Sequence, residues 1–171
     1  KKGSLKEARQ YAEQSRQWAE KNQDKRNLQA VYVVLAAIAY DEGHLEEVNR
    51  SLHLSLDLAR EIGNPLYFLS PLTHLGDYYC HIGDLKAAEA AFLEALRISQ
   101  SLNNLFYNSM QLNNLGTVKM MQKDYPASST YFQQCMSICE KLGDQEGVAY
   151  ALVNLGEIAN LTSNFKQAIP Y

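Results

Sequence analysis

The sequence predicts an all-α fold in which antiparallel helical hairpins stack into a right-handed α-solenoid. Two observations predict it: turn-type residues recur every 40 positions, and the segments between them carry apolar residues at helical spacing. The connections are short, so successive helices must run antiparallel. A single hairpin of this kind cannot bury its apolar face alone, and each repeat must therefore cover the next.

The 40-residue step is kept at several places within the repeat. The turn positions are Gly3, Gly43, Gly83, Lys123 and Ser163. Two places later stand large apolar residues, Leu5, Leu45, Leu85, Tyr125 and Phe165. Five places after the turn stand small or compact residues, Ala8, Val48, Ala88, Ser128 and Ala168. A second turn recurs at Gln23, Gly63, Asn103 and Gly143. Four features that stay in phase indicate a true repeat.

The turn positions predict helices over 4–20, 25–42, 45–61, 65–82, 85–101, 105–122, 125–141 and 145–162, with a ninth helix cut short at Tyr171. Asn64 and Asp144 are typical N-cap residues, and Pro65 suits a first helical position. Pro71 and Pro170 fall inside predicted helices and are expected to shorten or kink them. We expect one repeat domain over 1–171, with the second helix of one repeat, three full repeats and one truncated repeat, within a longer protein.

Composition excludes several classes of function. The formal net charge is -3 and the sequence has no Lys/Arg run, which argues against nucleic-acid binding. No apolar run approaches the roughly 18 residues of a membrane span. Three cysteines without a CxxC motif do not suit a disulfide framework or a zinc ribbon. We expect small core residues at Cys80, Cys135 and Cys139, a reducing cytoplasmic compartment and no cofactor.

One segment carries a known signature. Leu75-Gly76-x-x-Tyr79, followed by Ala88-x-x-x-Phe92, resembles the tetratricopeptide repeat. The same frame gives Leu35-Ala36, Val48, Leu52 and Ser55; Leu115-Gly116, Ser128, Phe132 and Cys135; and Leu155-Gly156 and Ala168. The usual period is about 34 residues, and the extra residues here lie in the junction between repeats. Repeats of this length resemble those of bacterial signal-transduction ATPases and maltose-activator-type regulators, and of kinesin light chains and Leu-Gly-Asn polarity adaptors.

The signature makes structural predictions that can be checked. Gly76, Gly116, Gly156 and Ala36 should be small because two helices approach closely there. Leu75 and Phe92 should fill a hairpin core. The sequence departs from the pattern at Lys119, which stands where Tyr79 supplies an aromatic ring.

The resemblance implies a protein or peptide ligand, held on a concave surface by the first helix of each hairpin. The candidate partner-binding residues are Tyr40, His74, Asp77, Asn113, Asn114, Thr117, Met121, Asn154 and Glu157. Asn114 and Asn154 lie one period apart, and their amides can pair with the backbone of an extended peptide. The adaptors named above use Asn at this place. The alternative is that these are surface or interhelical amides.

Other hypotheses for the same helices are alternatives to peptide binding. His74, Asp77, Cys80 and His81 share a helix face and could ligate a metal, but one helix rarely supplies a full set. We favour a polar patch and predict no metal. Acidic peptide tails are not predicted, because Val33, Thr73 and Asn113 stand where lysine would be needed. Met110, Met120 and Met121 suit either core packing, which we favour, or a partner helix.

Catalytic motifs are absent from the sequence: no Gly-rich phosphate loop, HExxH or GxSxG occurs. We therefore expect no enzyme. Three hypotheses stay open: a module that binds a peptide or partner domain in a groove, a regulatory sensor that contacts neighbouring domains of its own polypeptide, and a structural array that associates end to end.

Overall fold

The structure is a computed structural model that describes residues 2–162, with side chains from Ser4 onward. Within that range the elements are α1 (Lys2–Lys21), α2 (Lys25–Glu42), α3 (Leu45–Ile62), α4 (Leu66–His81), α5 (Leu85–Ser101), α6 (Leu105–Met121), α7 (Tyr125–Leu142) and α8 (Gln145–Leu161). Residues 2–162 contain no strand. The prediction of an all-α helical repeat is confirmed. The predicted ninth helix, with Phe165, Ala168 and Pro170, lies outside the described residues.

The chain divides into two compact units, unit 1 over Lys1–Ile82 and unit 2 over Gly83–Tyr171. In unit 1, α2 packs between α1 and α3, α3 packs on α4, and α2 also touches α4. In unit 2, α6 packs between α5 and α7, α7 packs on α8, and α6 also touches α8. Within each unit, neighbours in sequence are therefore neighbours in space, as the short connections predict.

The helix ends explain the periodicity of the sequence. A residue with positive φ follows each of the first seven helices, at Gln23, Gly43, Gly63, Gly83, Asn103, Lys123 and Gly143. Five of the next residues, Asp24, Asp84, Asn104, Asp124 and Asp144, accept a hydrogen bond from the backbone N–H three places on. A left-handed residue that ends one helix, followed by an N-cap that begins the next, accounts for both turn marks.

Lys123→Gly is expected to stabilise the protein by about 0.5–1 kcal/mol. Lys123 has a φ of 62°, a conformation that costs a residue with a Cβ roughly 1–2 kcal/mol, and the greater backbone entropy of glycine in the unfolded chain offsets part of that gain. Urea denaturation measures the change. The matched control is Gly43→Ala, where no atom lies within 4 Å of an added Cβ, so the same strain should cost about 1 kcal/mol. No gain from Lys123→Gly would contradict this account.

A buried polar network in unit 1 accommodates the proline inside α4. Pro71 is buried and lies inside the helix, which is predicted over 65–82, is observed from Leu66, and continues past the proline to His81. Its missing N–H leaves the carbonyl of Tyr67, four residues earlier, without a helical donor. The Gln29 side chain of α2 donates to that carbonyl at 3.0 Å and to the Ser55 hydroxyl of α3 at 2.9 Å. The Ser55 hydroxyl donates in turn to the Gln29 carbonyl at 3.1 Å.

One core cluster of unit 2 consists of Phe132, which is fully buried, with the buried residues Leu155 and Ile158. A Cβ added to Gly116 would lie 2.7 Å from the Phe132 ring. The Ser128 hydroxyl donates to the Gly116 carbonyl at 2.7 Å. The predicted close approach of two helices is confirmed at Gly116, where α6 meets α7.

The departure at Lys119 has a local explanation in unit 2. Its ammonium lies 2.7 Å from Glu89 Oε1 of α5 and donates to Gln122 Oε1 at 3.1 Å. The Gln122 amide donates to Glu89 Oε2 at 3.0 Å. The hydrogen bond from Lys119 lowers the pKa of Glu89 below its ordinary value. An ion pair thus takes the place of an aromatic contact.

Lys119→Met is expected to lower the free energy of unfolding by about 0.5–1 kcal/mol at pH 7. Because the pKa of Glu89 is depressed in the folded state, the contribution is complete above the ordinary glutamate pKa of about 4.3 and is lost as pH falls through the folded value. Urea denaturation from pH 7 down to about pH 3 should show the two proteins converging in acid. Lys86→Met, at an exposed position of α5, controls for the loss of one charge. A difference that persists unchanged in acid would rule out the ion pair.

Candidate functional site

The nine predicted partner-binding residues divide between the two units. Tyr40, His74 and Asp77 lie in unit 1, and the other six lie on α6 and α8 of unit 2. All nine have at least partly accessible side chains. Tyr40, His74 and Asp77 line one cavity of unit 1, and the asparagines lie on two touching helices of unit 2.

In unit 1, the three predicted residues line one cavity of about 380 Å³, which we call the α2–α4 pocket. The lining residues are Ala36, Ala37, Tyr40 and Asp41 of α2, Val48 and Leu52 of α3, and His74, Asp77 and Tyr78 of α4. The pocket exists because α2 and α4 are both packed against α3 and approach each other. The structure therefore brings together residues that are more than thirty positions apart in sequence.

One of the two histidines near this pocket makes a close contact with a lining side chain. The Tyr40 hydroxyl and His81 Nδ1 lie 3.0 Å apart, and the two rings meet edge to face with centroids 5.0 Å apart. This contact holds the Tyr40 ring at the pocket. His74 Nδ1 lies 4.0 Å from Asp77 Oδ2, too far for a strong hydrogen bond.

Partial desolvation raises the pKa of Asp77 above its ordinary range, while the neighbouring His74 acts in the opposite direction. Burial favours the neutral form of a carboxyl group, so Asp77 gains from a cation brought beside it. Among the described residues, no group of three or more His, Cys, Asp or Glu side chains could hold a metal ion. Asp77 is thus a partly desolvated carboxyl group whose charged form a cationic ligand would favour.

In unit 2, the asparagine surface consists of Asn113 and Asn114 on α6 and Asn154 on α8. Each side chain is half-buried, and none of the three amides hydrogen bonds to another group in residues 2–162. The Thr117 hydroxyl donates to the Asn113 carbonyl at 3.1 Å. Because α6 touches α8, the surface presents unpaired donors and acceptors from two helices.

Asn113 also lines a second cavity, of about 190 Å³, with Phe106, Met110 and Tyr150. Phe106 and Tyr150 are 58% and 61% exposed, so aromatic surface borders the amides. The predicted residues Met121 and Glu157 are exposed on α6 and α8 and line neither cavity. The three methionines lie in different surroundings: Met110 lines this cavity, Met120 packs against Phe132, and Met121 is exposed to solvent.

The three cysteines are free thiols. Cys135 and Cys139 are buried, as predicted, with their sulfur atoms 3.9 Å apart. Burial, followed by the neighbouring Cys139, raises the pKa of Cys135 to about 12. Cys80 is half-buried, and burial raises its pKa as well. A raised pKa disfavours the thiolate, so Cys135 and Cys80 are poor nucleophiles.

Asp41, Tyr78 and Phe106 are among the lining residues that sequence analysis did not select. Helical spacing carried a signal for them. Tyr78 follows His74 by four positions, and Phe106 precedes Met110 by four, so each shares a face with a selected residue. Only the packing of α2, α3 and α4 shows that Asp41 reaches the same cavity. Within residues 2–162, none of the helices combines the length and the apolar character that a membrane span requires.

This chain is similar to known family models and to solved structures. Two models described as tetratricopeptide repeat match residues 108–171 and 71–105. No curated protein sequence matches. BtubC (BKLC) from P. vanneervenii superposes with a TM-score of 0.88 at 19% identity, over 99% of this chain and 70% of that one.

Two further structures share the fold. One is a signal transduction ATPase with numerous domains (STAND) protein with a tetratricopeptide repeat sensor, from Pyrococcus horikoshii, with a TM-score of 0.73, 20% identity and coverage of 98% of this chain and 28% of that chain. The other is the apo form of RapI, with a TM-score of 0.78, 14% identity and coverage of 96% and 67%. The chain thus corresponds to less than a third of the STAND protein.

Proposed function

Because the chain belongs to the tetratricopeptide repeat family, whose repeats are generally protein-interaction modules, we propose that it is a non-catalytic module that binds a peptide or partner domain. The ligand lies across the asparagine surface of unit 2 as an extended segment. Tyr40, His74 and Asp77 supply a second contact region in unit 1. No cofactor takes part.

The unpaired amides of Asn113, Asn114 and Asn154 carry this proposal. Each is half-buried, so a hydrogen bond to it would be partly shielded from water and worth about 0.5–1.5 kcal/mol. An extended peptide offers one N–H and one C=O per residue, which match an amide that both donates and accepts. Main-chain pairing of this kind supports binding, while neighbouring aromatic rings such as Phe106 and Tyr150 supply apolar contact.

The test compares the wild-type chain with the triple variant Asn113→Ala, Asn114→Ala and Asn154→Ala in a pull-down from the source cell's lysate, followed by mass spectrometry. A partner recovered by the wild type should be reduced at least about tenfold, since two or three hydrogen bonds of about 1 kcal/mol are lost. Gln133→Ala, Gln134→Ala and Asn160→Ala form the matched control, because they remove three exposed amides from α7 and α8. Circular dichroism confirms that both triple variants fold. Equal recovery of the partner by the wild type and both triple variants would contradict the proposal.

The second candidate function is a regulatory sensor within a larger signalling or transcription-regulator protein. Its support is the likeness to the STAND protein, whose tetratricopeptide repeats are described as a sensor. The ligand would then be a neighbouring domain of the same polypeptide or a small effector. A nucleotide-binding P-loop or a helix-turn-helix encoded beside this segment favours the sensor; their absence favours the separate binding module.

The remaining features of the proposal are one repeat domain over 1–171, residence in the cytoplasm, no contact with nucleic acid and a tendency to associate end to end. Free thiols at Cys80, Cys135 and Cys139 suit a reducing compartment. Tyr11 and Trp18 of α1 are 70% and 57% exposed, which supplies apolar surface for association. A strictly monomeric species across a broad concentration range would contradict self-association.

A further inference from the structure

The α2–α4 pocket has an uneven chemical lining. Its inner part is apolar, because Val48 and Leu52 are buried core residues that also line the cavity. Its charged groups are two carboxylates, Asp41 of α2 and Asp77 of α4. None of the described residues that line it is a lysine or an arginine. The cavity therefore combines an apolar interior with negative charge.

Two tyrosines complete the lining. Tyr40 is held by its contact with His81, and Tyr78 is held beside Tyr79 with ring centroids 5.4 Å apart. Aromatic faces attract cations, and they attract a planar guanidinium more effectively than an ammonium because it can also stack. Apolar walls, aromatic rings and carboxylates together match a cation on an apolar stem.

We propose that the α2–α4 pocket binds an arginine side chain of the partner. The three methylene groups pack against the apolar wall, and the guanidinium lies against tyrosine with its N–H groups directed to Asp77 and Asp41. An apolar anchor would desolvate the carboxylates without compensation, and an acidic anchor would be repelled. His74, which lines the pocket, and His81, which contacts Tyr40, add no favourable charge for a cation. The inference rests on the proposed function, because it names one feature of that partner.

The test titrates the full chain, labelled with ¹⁵N, with Nα-acetyl-arginine amide and follows backbone amide shifts by NMR. A single blocked residue of this size should bind with a Kd on the order of 1 mM. The amides of 36–41 and 74–78 should shift. Nα-acetyl-citrulline amide, a neutral compound of nearly the same shape, should bind at least about fivefold more weakly, since charge-assisted hydrogen bonds are roughly twice as strong as neutral ones.

Variants assign the effect to the pocket. Asp77→Asn and Asp41→Asn should each weaken binding of the arginine probe about threefold to tenfold. Asp57→Asn is the matched control, because it makes the same change in net charge on an α3 side chain that is 62% exposed and paired with Arg60. Equal weakening by Asp57→Asn would show non-specific attraction and overturn the proposal. Equal shifts with citrulline, or tighter binding of Nα-acetyl-lysine amide, would also overturn it.

The failure of this inference can be told apart from failure of the proposed function. If the arginine probe does not bind, but a protein partner is captured through the asparagine surface, the arginine pocket is wrong and the interaction module stands. If the probe binds in the pocket and the asparagine variant leaves partner capture unchanged, the proposal for the asparagine surface is wrong and the proposal for the α2–α4 pocket stands.

Discussion

Phe132→Ala is expected to lower the free energy of unfolding by about 3–5 kcal/mol, the range measured when large aromatic side chains are removed from cores. Phe132 is fully buried and packs with Leu155 and Ile158. Because α6 approaches so closely at Gly116, the helix backbone is part of the wall of the site. A backbone wall cannot collapse into the cavity as a flexible side chain can, so the cost should lie toward the upper end.

Urea denaturation gives the total change, and native-state hydrogen exchange of amides in α6, α7 and α8 shows where stability is lost. Phe106→Ala is the matched control, because it removes the same ring from a position that is 58% exposed. A surface substitution of this kind should change stability by no more than about 0.5 kcal/mol. Equal effects at positions 132 and 106 would show that the Phe132 core does not organise unit 2.

Gln29→Leu is expected to cost about 2–3 kcal/mol, although it replaces a buried polar side chain with an apolar one of similar size. The Gln29 amide is the donor to the Tyr67 carbonyl that Pro71 leaves open, and it also donates to the Ser55 hydroxyl. A buried polar group that loses its partner costs roughly 1–3 kcal/mol. Two groups lose one hydrogen bond each, and the hydroxyl keeps its bond to the Gln29 carbonyl.

A second substitution tests the reason for this cost. In a Pro71→Ala background, the alanine N–H can donate to the Tyr67 carbonyl within the helix. Gln29→Leu should then cost at least about 1 kcal/mol less than it does beside proline, as a coupling energy in a double-mutant cycle. Urea denaturation of the four proteins supplies the cycle. If Gln29→Leu lowers the free energy of unfolding equally in the two backgrounds, the role of Gln29 does not depend on Pro71.

Much of the fold could be predicted from the sequence because its determinants are local. A left-handed residue that ends a helix and an Asp or Asn N-cap act within a few residues, so Gly143 and Asp144 mark a turn wherever the chain lies in space. The predicted helix bounds differ from the observed ones by no more than two residues. The small residue at Gly116 was predictable for a related reason, since repeats place it at the same register.

The candidate surfaces were predicted only in part. Helical spacing identified the accessible faces of α2, α4, α6 and α8, and hence the asparagines, Tyr40, His74 and Asp77. Whether a residue on such a face meets a residue of another helix depends on how the helices cross. Asp41 reaches the α2–α4 pocket, whereas Met121 and Glu157 line neither cavity. The spacing of residues along one helix contains no information of that kind.

Caps, turns and helical periodicity are properties of neighbouring residues, so the repeat, the number and bounds of the described helices, and the accessible residues on each could be inferred from the order of the amino acids. Packing was needed to show that Gln29 supplies the donor missing at Pro71 and that Lys119 pairs with Glu89. Packing was also needed to show that two carboxylates and two tyrosines share one apolar cavity. Hydrogen bonds, ion pairs and cavities depend on distances of a few ångströms between helices, and these distances are fixed only when the helices pack.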